Sequence, residues 1–128
     1  MISVSTLIYL CFAHYIADFV CQTDWMAVNK SKFNVPLLAH VCTYSCVLFL
    51  LLLVLEPSFK TLLLFIFINA TLHFIIDFFT SRLSSHLKSV NKLGSSSIPN
   101  FGFFSVIGFD QFLHYTCLFI TYSELLAK

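Results

Sequence analysis

Charge is what this sequence has least of. Only 10% of its 128 residues are charged and 59% are hydrophobic, where a soluble domain carries about 25% charged residues. Such a chain has too little polar surface to clothe a soluble globule, and a mean hydropathy of +0.90 points the same way. Glycine is also scarce. Three glycines, none in a rich loop, exclude a phosphate-cradling loop and a dinucleotide fingerprint. Neither sign of charge dominates: a net +1 leaves no basic field for nucleic acid and no polybasic tail. The length suits one compact unit, residues 1–128, rather than two domains. The cysteines (Cys11, Cys21, Cys42, Cys46 and Cys117) are odd in number and sit in or beside apolar runs. That argues against a disulfide framework and predicts small buried hydrophobes, with Cys42 and Cys46 sharing a helix face. The start of the chain lacks the basic residues and cleavage site of a signal peptide and carries His14 and Asp18, so it reads as a retained first helix.

What the sequence has instead is apolar segments. Four are long enough to cross a hydrocarbon core of about 30 Å, over residues 2–21, 35–55, 59–80 and 101–126. The second opens with Asn34-Val35-Pro36, a cap followed by a proline in the first turn. The breaker Glu56-Pro57-Ser58 separates it from the third, so these two form an antiparallel hairpin. The stretch Gly94-Ser95-Ser96-Ser97-Ile98-Pro99-Asn100 precedes the fourth. The fold class predicted is therefore all-α, a four-transmembrane-helix bundle. Past the membrane the third helix continues as an amphipathic extension, with Leu83, Leu87 and Val90 on one face. Basic residues set the orientation. Lys30, Lys32, Arg82, Lys88 and Lys92 lie in the first and third links, against Lys60 and Lys128 on the other side. This places those links in the cytoplasm, both termini outward, and the extension at the cytoplasmic surface.

An ionisable residue within a membrane span is costly and is a functional candidate by default. The first span holds His14 and Asp18, and the third holds His73 and Asp77. Both pairs read His-x-x-x-Asp, which puts the two side chains on one helix face, a turn apart. The second span adds His40, and the fourth adds Asp110 and His114. Counted along the helices at about 1.5 Å per residue, six of these seven fall in one layer of the cytoplasmic half, with His114 somewhat deeper. The order of motifs also fits two helical hairpins related about an axis along the membrane normal.

Histidine and aspartate together are the ligand set of zinc, manganese or iron. A divalent metal, zinc foremost, held by His14, Asp18, His40, His73, Asp77, Asp110 and His114, would also explain why the charges are tolerated. An open metal position activates water, and an unligated carboxylate among Asp18, Asp77 and Asp110 would serve as general base. The plainer reading is that these side chains hydrogen-bond neighbouring helices. His86 reads as solvated and Trp25 as an interfacial anchor. The phenylalanines read as lipid-facing or core bulk. Gln22 and Gln111 adjoin the cluster and fit either a site role or a packing role.

The stretch from Ala13 to Phe19 and on through Gln22-Thr23-Asp24-Trp25-Met26-Ala27 resembles the opening of a family of small bacterial and phage membrane proteins of unknown function. His40, the His73–Asp77 pair with Ser81-Arg82, and Asp110-Gln111 with His114 are similar to its pattern. The likeness covers nearly the whole chain and implies a phage or bacterial inner membrane. The intramembrane His/Asp pattern is more loosely similar to that of membrane-bound metal-dependent hydrolases, without implying a substrate. Three functions are open: a metal-dependent hydrolase of a lipid or lipid-linked substrate; a non-catalytic factor that binds another membrane protein through residues 81–93; and an oligomeric transporter of ions, protons or small solutes, with Thr6, Tyr9, Asn69 and Thr71 as stepping stones. Membrane lipids are expected partners, and a bundle with apolar faces is expected to form homo-oligomers.

Overall fold

A computed structural model describes residues 2–55, 58–90 and 102–127. The breaker residues Glu56 and Pro57, the segment 91–101 with Lys92 and the Gly94–Asn100 stretch, and Lys128 lie outside the described residues. Helix α1 runs Val4–Tyr15 and passes directly into a π-helical turn, Ile16–Val20. A short helix α2, Asp24–Asn29, follows. Three long helices complete the chain: α3 Asn34–Leu52, α4 Phe59–Ser89 and α5 Phe103–Leu125. No strand occurs among the described residues.

The three long helices have 19, 31 and 23 residues and are apolar enough to cross a membrane. The apolar stretch Val4–Val20 is shorter. The chain thus has the make-up of a membrane protein: polar side chains are gathered inside and apolar ones cover the outside. On the first segment Val4, Ile8, Phe12, Tyr15 and Phe19 are exposed, while Leu10, Ala13, His14 and Ala17 are buried. That spacing of three and four residues divides one helix into an outer and an inner face.

The four apolar helical segments form a ring in which α1 touches α3 and α5, and α4 touches α3 and α5. Neighbours alternate in direction. Tyr9, early in α1, donates its hydroxyl to the Leu51 carbonyl late in α3 at 2.7 Å. At the opposite end Arg82 of α4 donates to the Asn34 side chain at the start of α3 at 2.9 Å. The two His-x-x-x-Asp helices therefore occupy opposite corners, as a twofold along the bundle axis requires. The closed half of the core is apolar: Leu10, Leu48, Leu52, Leu62, Phe65 and Leu118 are each 0% exposed.

Several details depart from the sequence reading. Asn34 is the first residue of α3 and spends its side chain on Arg82, while Phe33 stands at the cap position without a side-chain bond. Pro36 does sit in the first turn, where its missing N–H costs nothing. Helix α4 continues unbroken to Ser89, and its largely exposed extension also contributes Ser81, Ser84, Ser85 and Lys88 to the wall of a cleft. Cys42 and Cys46 are exposed on the outer face of α3 instead of buried. His86 is exposed, as read.

Candidate metal centre

The π turn positions the first carboxylate. Cys21 N–H reaches back five residues to the Ile16 carbonyl at 3.0 Å, a widened turn of the kind frequent at functional sites. Asp18 lies inside it, 4% exposed. One carboxylate oxygen, Oδ1, is 3.0 Å from His40 Nε2 and 3.4 Å from His73 Nε2. The two Nε2 atoms are themselves 3.1 Å apart. Two imidazole nitrogens facing one another cannot both carry a proton directed along that line. Asp18 Oδ1 is buried and has no aligned hydrogen-bond partner. Three lone-pair-bearing atoms from three helical elements thus converge on one point.

The fit to a metal can be tested on those distances. Tetrahedral ligands about 2.0–2.2 Å from zinc lie roughly 3.3–3.6 Å from one another. The observed 3.0, 3.1 and 3.4 Å separations are close to that spacing. A second triad, His73, Asp77 and His114, is also within metal-holding reach. It shares His73 with the first, and its Asp77 is already engaged. His114 Nε2 is 3.2 Å from Asp77 Oδ1, and the Lys30 ammonium donates to Asp77 Oδ2 at 2.7 Å. His40 Nε2 is likewise 3.2 Å from Asp77 Oδ2 and 3.3 Å from the Lys30 ammonium, so the residues present suit one divalent ion around His73, held with Asp18 and His40 or with Asp77 and His114.

The remaining predicted residues surround these donors. His14 is committed to hydrogen bonds. Its Nε2–H faces the Gln111 carbonyl at 3.1 Å, and its Nδ1 faces the Tyr44 hydroxyl at 3.2 Å. Gln111, left between two roles by the sequence, is a connector: its amide donates to Asp18 at 3.1 Å and to Asp110 at 3.0 Å. Asp110 also accepts from the Thr80 hydroxyl and lies 3.5 Å from His114 Nε2. Neither His14 nor Asp110 belongs to a triad. All seven predicted residues thus meet in one cluster, five of them as donors and two as residues that hold donors in place.

Stacking orients His73. The Tyr44 ring lies 4.0 Å from it at 22°, and the His114 ring 4.1 Å away at 30°. The Nδ1 atoms of His40 and His73 are buried without partners, so each ring is held by packing and by its contacts at Nε2 alone.

A cleft of about 450 Å³ opens beside the cluster. Asp18, Asp77, Asp110 and Gln111 contribute to its lining together with Lys30. Lys30, Tyr44 and Thr80 are the residues that sequence reasoning missed. Lys30 was read as a loop charge that sets orientation. The short helix α2, capped by the Thr23 hydroxyl on Met26 N–H at 3.3 Å, instead turns the chain so that Lys30 points inward. Its Nζ lies 3.3 Å from His40 Nε2 as well as against Asp77.

No curated protein and no solved structure matches the chain. Residues 6–128 match the family described as a protein of unknown function, DUF3307, and the chain belongs to it.

Proposed function

We propose that this protein is an intramembrane metal-dependent hydrolase acting on a lipid or lipid-linked substrate. The observation that carries the reading is the convergence of Asp18 Oδ1, His40 Nε2 and His73 Nε2 at mutual distances of 3.0 to 3.4 Å, beside a cleft. A divalent ion there, zinc foremost with manganese or iron as alternatives, would lower the pKa of a bound water to about 7. Asp18, His40 and His73 would hold the ion. Asp77, at the cleft side and kept in place by Lys30 and His114, takes the proton of the attacking water and returns it to the leaving oxygen. The water oxygen bonds to the ester centre as it gives up that proton, and the bond to the leaving oxygen breaks as the proton is delivered to it. Asp110 and Gln111 line the same cleft; Gln111 orients Asp18 and His14, and Asp110 accepts from Gln111.

The apolar half of the core supports a hydrolase over a pathway for solutes. Leu10, Leu48, Leu52, Leu62, Phe65 and Leu118 fill the bundle beyond the polar layer. Asn69, once a stepping stone, is bonded to Thr121 at 2.9 Å, and Thr71 donates to the Phe67 carbonyl at 2.9 Å. The charge bias favours both termini outward, the family resemblance suggests a phage or bacterial inner membrane, and the exposed apolar faces favour an oligomer.

The test is metal content by mass spectrometry on detergent-purified protein, prepared without chelator, with His73→Ala and Asp18→Asn beside wild type. Stoichiometric metal in the wild type and its loss in both variants is expected. Asp77→Asn should keep the metal and lose about 10²–10⁴-fold in hydrolysis of a lipid-ester panel, the range of a general base. A folded, metal-free wild type overturns the reading.

A further inference from the structure

The lining of the cleft carries information about its ligand that the metal donors do not. One face of α4 runs outward from the cluster: Asp77, Ser81, Ser84, Ser85 and Lys88 recur at helical spacing and all line the cleft. Over those residues the helix rises about 16 Å at 1.5 Å per residue. The Ser81 hydroxyl is buried and has no hydrogen-bond partner, which is costly for a polar group unless a ligand satisfies it. Lys30 enters from α2, with its ammonium against Asp77, and Lys32 lines the same space.

Charge narrows the ligand. Among the residues lining the cleft the carboxylates are Asp18, Asp77 and Asp110. Lys30 and a divalent ion balance those three. Lys32 and Lys88 then remain as uncompensated cations around the cleft, and a dianion balances them. Hydroxyls on successive turns together with ammonium groups offer more donors than the two oxygens of a carboxylate can use. A phosphate, with its several charged oxygens, uses them better, and lysine is a common phosphate binder. Chemistry of the opposite kind lies alongside. Phe19, Val28, Phe103 and Ile107 also line the cleft, and Phe19 and Val28 are open to the outside at 44% and 60% exposure. A free phosphate would gain nothing from them, whereas an alkyl chain lying along the bundle would.

We propose that the cleft binds a phosphorylated amphiphile, its phosphate held by Lys30 beside the metal position, its polar remainder along the α4 serines and Lys88, and its chain against Phe19 and Val28. This names the substrate class of the hydrolase proposed above and rests on that reading for the fate of the ligand and for the divalent charge that leaves Lys32 and Lys88 unbalanced. Lys30 moves from Asp77 to the phosphate on binding, which frees Asp77 to take a proton.

The experiment measures lipid retention by native mass spectrometry of the full-length protein in detergent, with metal content determined on the same samples. Phosphatidic acid, diacylglycerol and fatty acid of matched chain length are the probes. Phosphatidic acid should be retained about tenfold over diacylglycerol, the equivalent of one charge-assisted hydrogen bond. Lys30→Gln should abolish the preference and Lys30→Arg restore it. Lys88→Gln, which touches no metal donor, should weaken the preference with metal content unchanged. Equal retention of phosphatidic acid and diacylglycerol, retention of fatty acid as strong as that of phosphatidic acid, or a preference indifferent to both lysine variants overturns the proposal. Metal present without a phosphate preference sinks the ligand class alone. A lysine-dependent preference in metal-free protein upholds the ligand class and sinks the hydrolase.

Discussion

Tyr44 makes two separable contributions to the polar cluster. Its hydroxyl meets His14 Nδ1 at 3.2 Å, and its ring stacks on His73 at 4.0 Å. Tyr44→Phe removes only the first. It should cost about 1 kcal/mol of stability, the worth of one hydrogen bond, and leave metal content intact. Tyr44→Ala also removes the ring. It should cost on the order of 3–5 kcal/mol as a buried aromatic truncation and lose metal, because His73 is no longer held in plane. Unfolding in detergent together with metal analysis reads both. Full metal occupancy in Tyr44→Ala would mean that packing does not orient His73. At this scale the histidines and aspartates were legible from sequence because an ionisable group in an apolar run is expensive and conspicuous. Tyr44 and Thr80 were not, because a tyrosine or threonine in such a run costs little and has many uses. Lys30 was visible but misassigned: a lysine outside the spans looks like a topological signal until the path of the chain is known.

Among the elements, the linker between the first and second spans departs most from expectation. A polar link was foreseen, but it contains a helix of six residues, Asp24–Asn29, that aims Lys30, and the span before it closes in a π turn that carries Asp18. Hydrophobic periodicity locates helices through repeated apolar faces, so the long elements α3, α4 and α5 were readable to within a few residues. A single widened turn or a two-turn helix leaves almost no periodic trace. Helix α2 buries none of its residues, so its cap matters more than its packing. Thr23→Ala should remove about 1 kcal/mol of capping free energy. Hydrogen exchange of the α2 amides should then accelerate about fivefold, since local opening governs exchange in such a segment, while Thr23→Ser should restore protection. Unchanged exchange in Thr23→Ala would show that contacts with α3, not the cap, hold α2 in place.

The whole molecule is organised inside out relative to a soluble bundle, with four imidazoles and three carboxylates gathered inside and large apolar side chains such as Phe67, Phe79 and Phe112 exposed outside. That inversion makes sense only in lipid, where the hydrophobic effect no longer separates helix from surroundings and buried polar contacts help to join the helices. It also fixes which ends of the chain share a side. The ring of alternating helices puts Lys32 and His86 at the cleft end and Ser5 and Lys60 at the other. Single cysteines at these four positions, in a background without native cysteines, should therefore label in two pairs. An impermeant maleimide applied to intact spheroplasts should reach Ser5→Cys and Lys60→Cys, and should reach Lys32→Cys and His86→Cys only after permeabilisation. The reverse pattern would overturn the cytoplasmic placement of the cleft while keeping the bundle. Labelling of positions 32 and 86 from opposite sides would overturn the bundle itself, because the hydrogen bond between Arg82 and Asn34 and the pairing of Asp18 with His40 both require the end of α4 and the start of α3 to share one face of the membrane.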